Sequence, residues 1–394
     1  MKVLFVVTED WYFVSHRLAL ALAAQRAGYE VAVATREGKY AAAICASGIR
    51  LIPFELARRA GSALAEIISL WRLYRRERPD LVHHVAMKPV LYGAFAARLA
   101  GVPAQLNAMT GLGWLFASST GIAAGVMRAA VVRLFAIVLG RPRSLTVVQN
   151  PDDLAMLKHA GVPARRLRLI RGAGVDVETF HPTGSFPSGP VCIVLAARML
   201  WDKGVGEFVQ AAHLLHARGV RARFVLVGDP DPANPASVSE SILRAWHGTC
   251  GMEWLGRRED MPAVLHQAQI ACLPSYYREG LPKSLLEAAA CGLPIVTTDT
   301  PGCREIVRNG ENGLLVPVKN PTALADALER LVFDEGLRRR MGERSRQLAV
   351  EEFSQERVIQ ATLSVYQELA VEATGQRLAA CDNEDRNDGR SGIR

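Results

Sequence analysis

Apolar residues along this chain fall into short unbroken runs, separated by stretches in which they recur every three to four positions. Val3–Thr8, Val31–Thr35, Arg50–Phe54, Leu81–Val85, Ala104–Ala108 and Leu145–Gln149 read as strands buried on both faces. Between them Arg17–Arg26, Ala63–Arg76 and Val90–Leu99 carry helical periodicity, with stops at Gly28 and Gly101. Strands alternating with helices predict an α/β fold with a parallel, doubly wound sheet, which takes ligands beyond the carboxyl ends of its strands. Between Arg171 and Pro190 the glycines and prolines cluster as in a linker, and a second strand–helix series runs from Val191–Ala196 to Leu315–Val316. The expected organisation is a first domain over 1–172, a linker over 173–190 and a second domain over 191–352. A C-terminal helix over 353–373, containing the amphipathic Glu356–Glu368, is expected to cross back to the first domain. A polar tail over 374–394 is expected to be disordered.

The most informative stretch is Ser275–Glu287, which leaves the apolar run Ile270–Leu273 and opens into the helical Leu285–Ala290. Pro282 suits a first helical turn, and a polar, glycine-containing loop before a helix start offers backbone N–H groups to an anion. Glu279 and Glu287 bracket that site eight residues apart. At a helical rise of about 1.5 Å per residue they lie on the order of 12 Å apart. A hydrolytic carboxyl pair needs roughly 5 to 9.5 Å. The spacing therefore fits clamps at opposite ends of an elongated, phosphate-bearing ligand. The alternative is a helix-capping Glu279 with Glu287 paired to Lys283 at i,i+4.

Other strand-end loops add charge and backbone. Ala197–Gly204 sets Arg198 and Lys203 before a helix, either as two cations for a diphosphate or as solvated surface charges. The strand-end turns Val225-Leu226-Val227-Gly228-Asp229 and Trp254-Leu255-Gly256-Arg257 are able to receive a flat ring on backbone groups. In the first half, the loop Glu9–Phe13 leads to Ser15-His16-Arg17 and lacks G-x-G-x-x-G, which argues against a dinucleotide cofactor. His16 is expected where a helix begins, touching phosphate or an acceptor hydroxyl, or else as a surface histidine near a cap. Thr110 and the amides of Asn107–Trp114 would face the same edge. His83-His84 and His213-x-x-His216 lack the partners a metal site needs. Gly121–Gly140, apolar except for Arg128 and Arg133, reads as a packed helix or as one docking on an anionic membrane, with Arg141 and Arg143 beside it.

Composition narrows the picture. Hydrophobic and charged contents of 49% and 22% are those of a globular protein. Seven scattered cysteines without a C-x-x-C suggest reduced thiols in the cytoplasm. The N-terminus enters a strand directly, and no apolar stretch is long enough to cross a bilayer. Residues 1–170 carry 22 Lys/Arg against 10 Asp/Glu, a net +12, whereas residues 171–394 carry 25 against 29, a net −4. A basic first half implies anionic partners. Nucleic acid is excluded, because neither aromatic–basic interleaving nor a recognition-helix motif is present.

Taken in order, Gly174-Val175-Asp176, Arg198…Lys203-Gly204, Val227-Gly228, Gly256-Arg257, Pro274-Ser275, Glu279…Glu287, Gly292–Val296 and Asn312–Val316 resemble the family 4 retaining glycosyltransferases of GT-B fold. The resemblance covers roughly residues 1–372. It implies two Rossmann-like doubly wound domains facing across a cleft, and a sugar–nucleotide donor, by family weight a UDP-sugar. Glu279 would hold donor-sugar hydroxyls and Glu287 the ribose. Arg198 and Lys203 would meet the diphosphate, with Gly280, Leu281 and Pro282 along sugar and phosphate and Val227, Gly228, Gly256 and Arg257 completing the donor site. No catalytic metal or other cofactor is implied. Ser15-His16-Arg17, Lys88-Pro89 and Thr110–Gly113 are similar to a subgroup acting on undecaprenyl-diphosphate-linked sugars. That similarity makes Trp11, Ser15, His16, Arg17, Lys88, Thr110 and Gly111 the acceptor-side candidates, with His16 counted among the catalytic groups. The loop Glu9–Phe13 departs from the family's paired glycines. The protein would then act at the inner face of the cytoplasmic membrane. A nucleotide-sugar epimerase of the same architecture and a non-catalytic partner in a glycan-assembly complex are the other readings. The E-x7-E pair with Arg198 and Lys203 argues against both.

Overall fold

The computed structural model describes residues 1–56, 62–111, 132–184 and 189–388, with side chains described as far as Thr374. The chain divides into two compact units. The first comprises Met1–Thr110, Ser119–Ile170 and Ile359–Arg394, and the second Gly111–Ser118 with Arg171–Val358.

The first unit is built on a seven-stranded sheet: β1 (Lys2–Glu9), β2 (Glu30–Arg36), β3 (Arg50–Pro53), β4 (Leu81–Val85), β5 (Ala104–Ala108), β6 (Ser144–Val148) and β7 (Leu167–Leu169). The order is β3-β2-β1-β4-β5-β6-β7 and every pairing is parallel. Val3 to Val7 are at most 2% exposed, as expected of a central strand covered on both faces. The chain walks outward from β1 to β3 and returns to β4 on the other side of β1. The topological switch point, where such sheets open a crevice, therefore lies between β1 and β4. α1 (Asp10–His16) and α2 (Leu18–Arg26) follow β1. α3 (Ala63–Glu77) precedes β4, and α4 (Met87–Ala100) follows it.

One expectation is corrected here. Glu9–Phe13 is not a loop, because all but Glu9 belongs to α1. The Asp10 carboxylate accepts from Trp11 N and from Tyr40 N, both at 2.7 Å, and Phe13 is fully buried edge-on to Phe5. An acidic first turn suits a helix start, and burial of one aromatic overrides the weak helix propensity of the run. At the other end of the chain, helix runs on past Thr374. α10 (Gln355–Asp388) continues, and beyond Gly375 no glycine or proline interrupts it until Gly389. From Ile359 onward it belongs to the first unit. The Tyr366 hydroxyl bonds His83 Nδ1 at 2.6 Å, and Arg166 and Arg168 pair with Glu372 and Glu368.

The second unit carries β8 (Val191–Ala196), β9 (Ala222–Val227), β10 (Met252–Trp254), β11 (Ile270–Leu273), β12 (Ile295–Thr298) and β13 (Gly313–Val316) in the order β10-β9-β8-β11-β12-β13. These pairings too are all parallel. Here the switch point lies between β8 and β11. α5 (Val205–Ala217), α6 (Glu240–Trp246), α7 (Lys283–Ala290), α8 (Pro321–Phe333) and α9 (Glu335–Glu352) are among its helices. The core on one sheet face gathers Phe208 and Phe224 with Leu215 and Leu328, all at most 1% exposed.

Candidate active site

The switch point of the second unit is assembled by a close approach of backbones. Gly204 opens α5 at φ +78°, and a Cβ there would stand 2.2 Å from the Pro274 carbonyl oxygen, so only glycine lets the turn after β8 reach the end of β11. The Asp202 carbonyl oxygen then accepts from Tyr276 N at 3.1 Å and Tyr277 N at 3.2 Å. Ser275 Oγ lies 3.1 Å from that oxygen and 3.0 Å from Glu279 Oε1, its single proton serving one of them at a time. Locked in this way, the loop delivers Glu279 to Lys203, whose ammonium donates to Glu279 Oε1. The two side chains are 15% and 11% exposed, dry enough for the charge-assisted bond to carry weight. Burial pushes the neighbouring Asp202 carboxyl above its ordinary pKa, partly offset by Lys203.

Arg198 does not stand as an open cation: Nη1 is 2.7 Å from Asp231 Oδ2, a partner the sequence did not single out. Glu287 makes the i,i+4 contact with Lys283 at 3.5 Å that the alternative reading requires. Burial raises its pKa and the Lys283 charge opposes that shift. The other half of that alternative fails. α7 begins at Lys283 with Pro282 as its N-cap, so Glu279 lies three residues before the cap and does not cap the helix. Pro282 is thus one step earlier than the first-turn position expected. Helical rise applies only from Lys283 onward, and the 12 Å separation does not follow for the loop residues before it.

The turn after β9 also differs from expectation. At φ +139°, a Cβ on Gly228 would stand 1.8 Å from the Ala197 carbonyl oxygen. Gly228 N donates to the Gly256 carbonyl at 2.8 Å, and Trp254 Nε1 donates to the Gly228 carbonyl at 2.9 Å. Arg257 N donates to Asp229 Oδ1 at 2.9 Å. The backbone groups of Gly228, Gly256 and Arg257 expected to receive a ring thus already bind one another and Asp229. Asp229 and Trp254 lie in those strand-end turns, where the sequence offered backbone groups and not these side chains. Their signal is local, an acidic side chain directly after a strand-end glycine and an indole N–H needing an acceptor. Val227 lies buried at the end of β9, and Gly280 and Leu281 are buried before α7.

In the first unit, His16 closes α1 instead of opening a helix. A helix C-terminus presents carbonyl groups, so any anion held there depends on side chains. The His16 ring stacks on Tyr12 at 4.1 Å and 5°, and Nδ1 is 2.5 Å from Ser15 Oγ. Tyr12, another missed residue, hydrogen-bonds Thr110 and has its hydroxyl pKa raised by burial. Its signal is an aromatic at i−4 from His16 on one helix. Arg17 is 6% exposed. Its Nη1 donates to the His16 carbonyl at 3.3 Å, and its buried Nε has no hydrogen-bond partner among the described residues. The structure therefore gathers Tyr12, Ser15, His16, Arg17 and Thr110. Lys88 is turned to Glu66 on α3 at 2.7 Å, Trp11 meets Tyr12 edge-on, and Gly111, at φ +119°, is grouped with the second unit.

Residues 121–131 of the Gly121–Gly140 reading lie outside the described residues. Residues 132–139 are helical, with Phe135 buried and Ile137 exposed. A different face carries more exposed apolar surface. Leu64, Ile68 and Trp71 line one stripe of α3 at i, i+4, i+7, and Phe95 and Leu99 line α4 at i, i+4. Exposed Arg72, Arg75, Arg76 and Arg98 accompany them. Among the described residues no helix is long and apolar enough to cross a membrane, and no group of three or more His, Cys, Asp or Glu side chains is placed to hold a metal ion.

Residues 2–139 match the family model "Glycosyl transferase 4-like", and residues 190–334 match "Glycosyl transferases group 1". The N,N'-diacetylbacillosaminyl-diphospho-undecaprenol alpha-1,3-N-acetylgalactosaminyltransferase of Campylobacter jejuni is 28% identical over 353 residues, covering 86% of this chain and 90% of the relative. The UDP-Gal:alpha-D-GlcNAc-diphosphoundecaprenol alpha-1,3-galactosyltransferase of Escherichia coli is 26% identical, over 70% of this chain and 72% of its own. Among solved structures, Anabaena Alr3699/HepE in complex with UDP and glucose shares the fold at a TM-score of 0.75, with 18% identity, 93% of this chain and 99% of that one.

Proposed function

The chain belongs to the family 4 glycosyltransferases of GT-B fold, and from that premise we propose that it moves a hexose or N-acetylhexosamine from a UDP-sugar, with retention, to a saccharide acceptor on undecaprenyl diphosphate. The observation that carries this reading is the Lys203–Glu279 pair at the switch point of the second sheet. A donor diphosphate competes for Lys203 and Arg198, which hold Glu279 and Asp231 in its absence. Glu279, once released, accepts from hydroxyls of the transferred sugar, and Glu287 accepts from those of the ribose. The departing phosphate oxygen takes the acceptor's proton on the face from which the acceptor attacks. Transfer then rests on positioning and on stabilising the charge of the leaving diphosphate. Two side-chain cations perform that stabilisation, so no metal or other cofactor is needed.

On the acceptor side, Arg17 and Lys88 flank the switch point of the first sheet, where His16 and Ser15 align the attacking hydroxyl. The relatives named above act on undecaprenol-diphosphate sugars, which supports a lipid-linked acceptor here. The apolar, arginine-rimmed faces of α3 and α4 and the net +12 of residues 1–170 support binding to an anionic membrane at its cytoplasmic side. The deciding experiment is calorimetric titration of the protein with UDP, GDP and ADP, with and without EDTA. UDP is expected to bind most tightly and to be indifferent to EDTA. Binding of none of the three would overturn the donor assignment, and loss of UDP binding in EDTA would overturn metal independence.

A further inference from the structure

A second groove in the same unit lies outside this constellation. It encloses about 820 Å³, within the range of small-molecule sites, and is walled by Trp201 and Trp246 with Gln210, His213 and Thr322. Trp201 lies against α5 where the helix has no side chain: a Cβ on Gly206 would come within 3.1 Å of the Trp201 ring. Trp201 is nonetheless 37% exposed. Trp246, at the end of α6, meets it at 86° with centroids 5.9 Å apart, so two indole planes form a right-angled corner. Gln210 and His213 are exposed one turn apart on α5, and Thr322 is exposed in the first turn of α8. Among the described residues, no Lys, Arg, Asp or Glu lines the groove.

We propose that this groove is a second, non-catalytic saccharide-binding site, which holds a neutral glycan chain on the donor-binding unit. An indole face suits the C–H face of a pyranose, and a second indole at right angles meets the ring's edge. An amide, an imidazole and a hydroxyl supply both donors and acceptors, as a row of sugar hydroxyls requires. The absence of fixed charge disfavours nucleotides and phosphates. Trp201 shares the short turn Trp201–Lys203 with Lys203, so a chain held on its indole is anchored to the turn that carries the donor's proposed cation.

The proposal rests on the transferase reading for its purpose but not for its test. The full chain, labelled with 15N-tryptophan, is titrated with chitotetraose, maltohexaose and an α-1,3-linked galactose trisaccharide while its six indole N–H signals are followed. At least one glycan is expected to shift Trp201 and Trp246, leaving Trp254 and Trp71 in place. Trp201→Ala should weaken that binding roughly tenfold. His213→Ala with Gln210→Ala, two exposed changes that leave the core intact, should weaken it several-fold with UDP affinity unchanged. The proposal is overturned if no glycan shifts the pair selectively, or if the shifts survive both sets of variants. UDP titration of each sample reports the donor site separately, so the two readings fail independently.

Discussion

Lys203 and Glu279 are each other's partners, so replacing either leaves a charge in a nearly dry loop. Lys203→Met is expected to lower turnover by on the order of 10²- to 10³-fold, weaken UDP binding and cost about 1–3 kcal/mol of stability. Glu279→Gln should lower turnover comparably while UDP affinity stays within about threefold. Initial rates and calorimetry on the two variants decide this, and wild-type turnover in both would remove the clamp from the mechanism. Glu287 gives a sharper test. Burial raises its pKa, so the fold favours the protonated carboxyl, and holding it ionised at neutral pH costs stability. Glu287→Gln should therefore melt no lower than wild type at pH 7 yet bind UDP about tenfold more weakly, its thermal advantage shrinking as pH falls through the raised value of the folded protein and gone below the ordinary carboxylate value. A lower melting temperature at pH 7 would contradict it. These carboxylates were legible because E-x7-E after a buried strand is a pattern of identity and spacing. Asp231, Asp229 and Trp254 were not, because their roles depend on which strand-end turn the sheet order brings beside which.

The strands were the easiest elements to read. Leu81–Val85 and Ala104–Ala108 appear residue for residue, since proline-bearing turn signals precede each run and apolar residues mark both of its ends. α1 was missed because its residues are poor helix formers and its support comes from burial of Phe13 and from Asp10 binding Tyr40 N, thirty positions away. β4 looked anomalous for its two histidines, and the structure explains them as core. His84 Nε2 is 2.9 Å from the Tyr74 hydroxyl and Nδ1 is 2.8 Å from Asn107 Oδ1, while His83 stacks on Phe5 and bonds Tyr366. Burial holds His84 neutral with a pKa lowered to about 4, against the bond to Asn107, and keeps His83 well below its ordinary value. A base with a lowered folded pKa gives stability that is complete above about pH 6.5 and is lost as pH falls toward the folded value. For His84 alone the loss by pH 4 is about 3 kcal/mol. The urea midpoint should therefore fall between pH 7 and 5 in wild type and fall less in His84→Gln. Equal pH sensitivity in the two proteins would refute this account.

At the scale of the molecule, charge and apolar exposure are unevenly shared. The stripe of Leu64, Ile68 and Trp71 ending near Arg72 and Arg75 leads us to expect binding to vesicles containing anionic lipid, weakening several-fold between about 0.05 and 0.3 M salt, over which the Debye length falls from roughly 14 to 6 Å. Leu64→Glu with Trp71→Glu should abolish sedimentation with vesicles without altering UDP binding, and unchanged sedimentation would move the membrane contact elsewhere. The two-part α/β plan was readable from the repeated strand–helix alternation. That the second unit ends at Val358 and the first resumes at Ile359 was readable only in part, because the pairing of Tyr366 with His83 spans 283 positions. Synthesis runs from the N-terminus, so the unit begun first is completed last. Until α10 has left the ribosome, the β4 face that it covers lacks its lid, and the whole second unit can fold in the meantime. Separating the halves at any single peptide bond would leave one of them incomplete, so an isolated first unit requires residues 359 onward to be joined back to it.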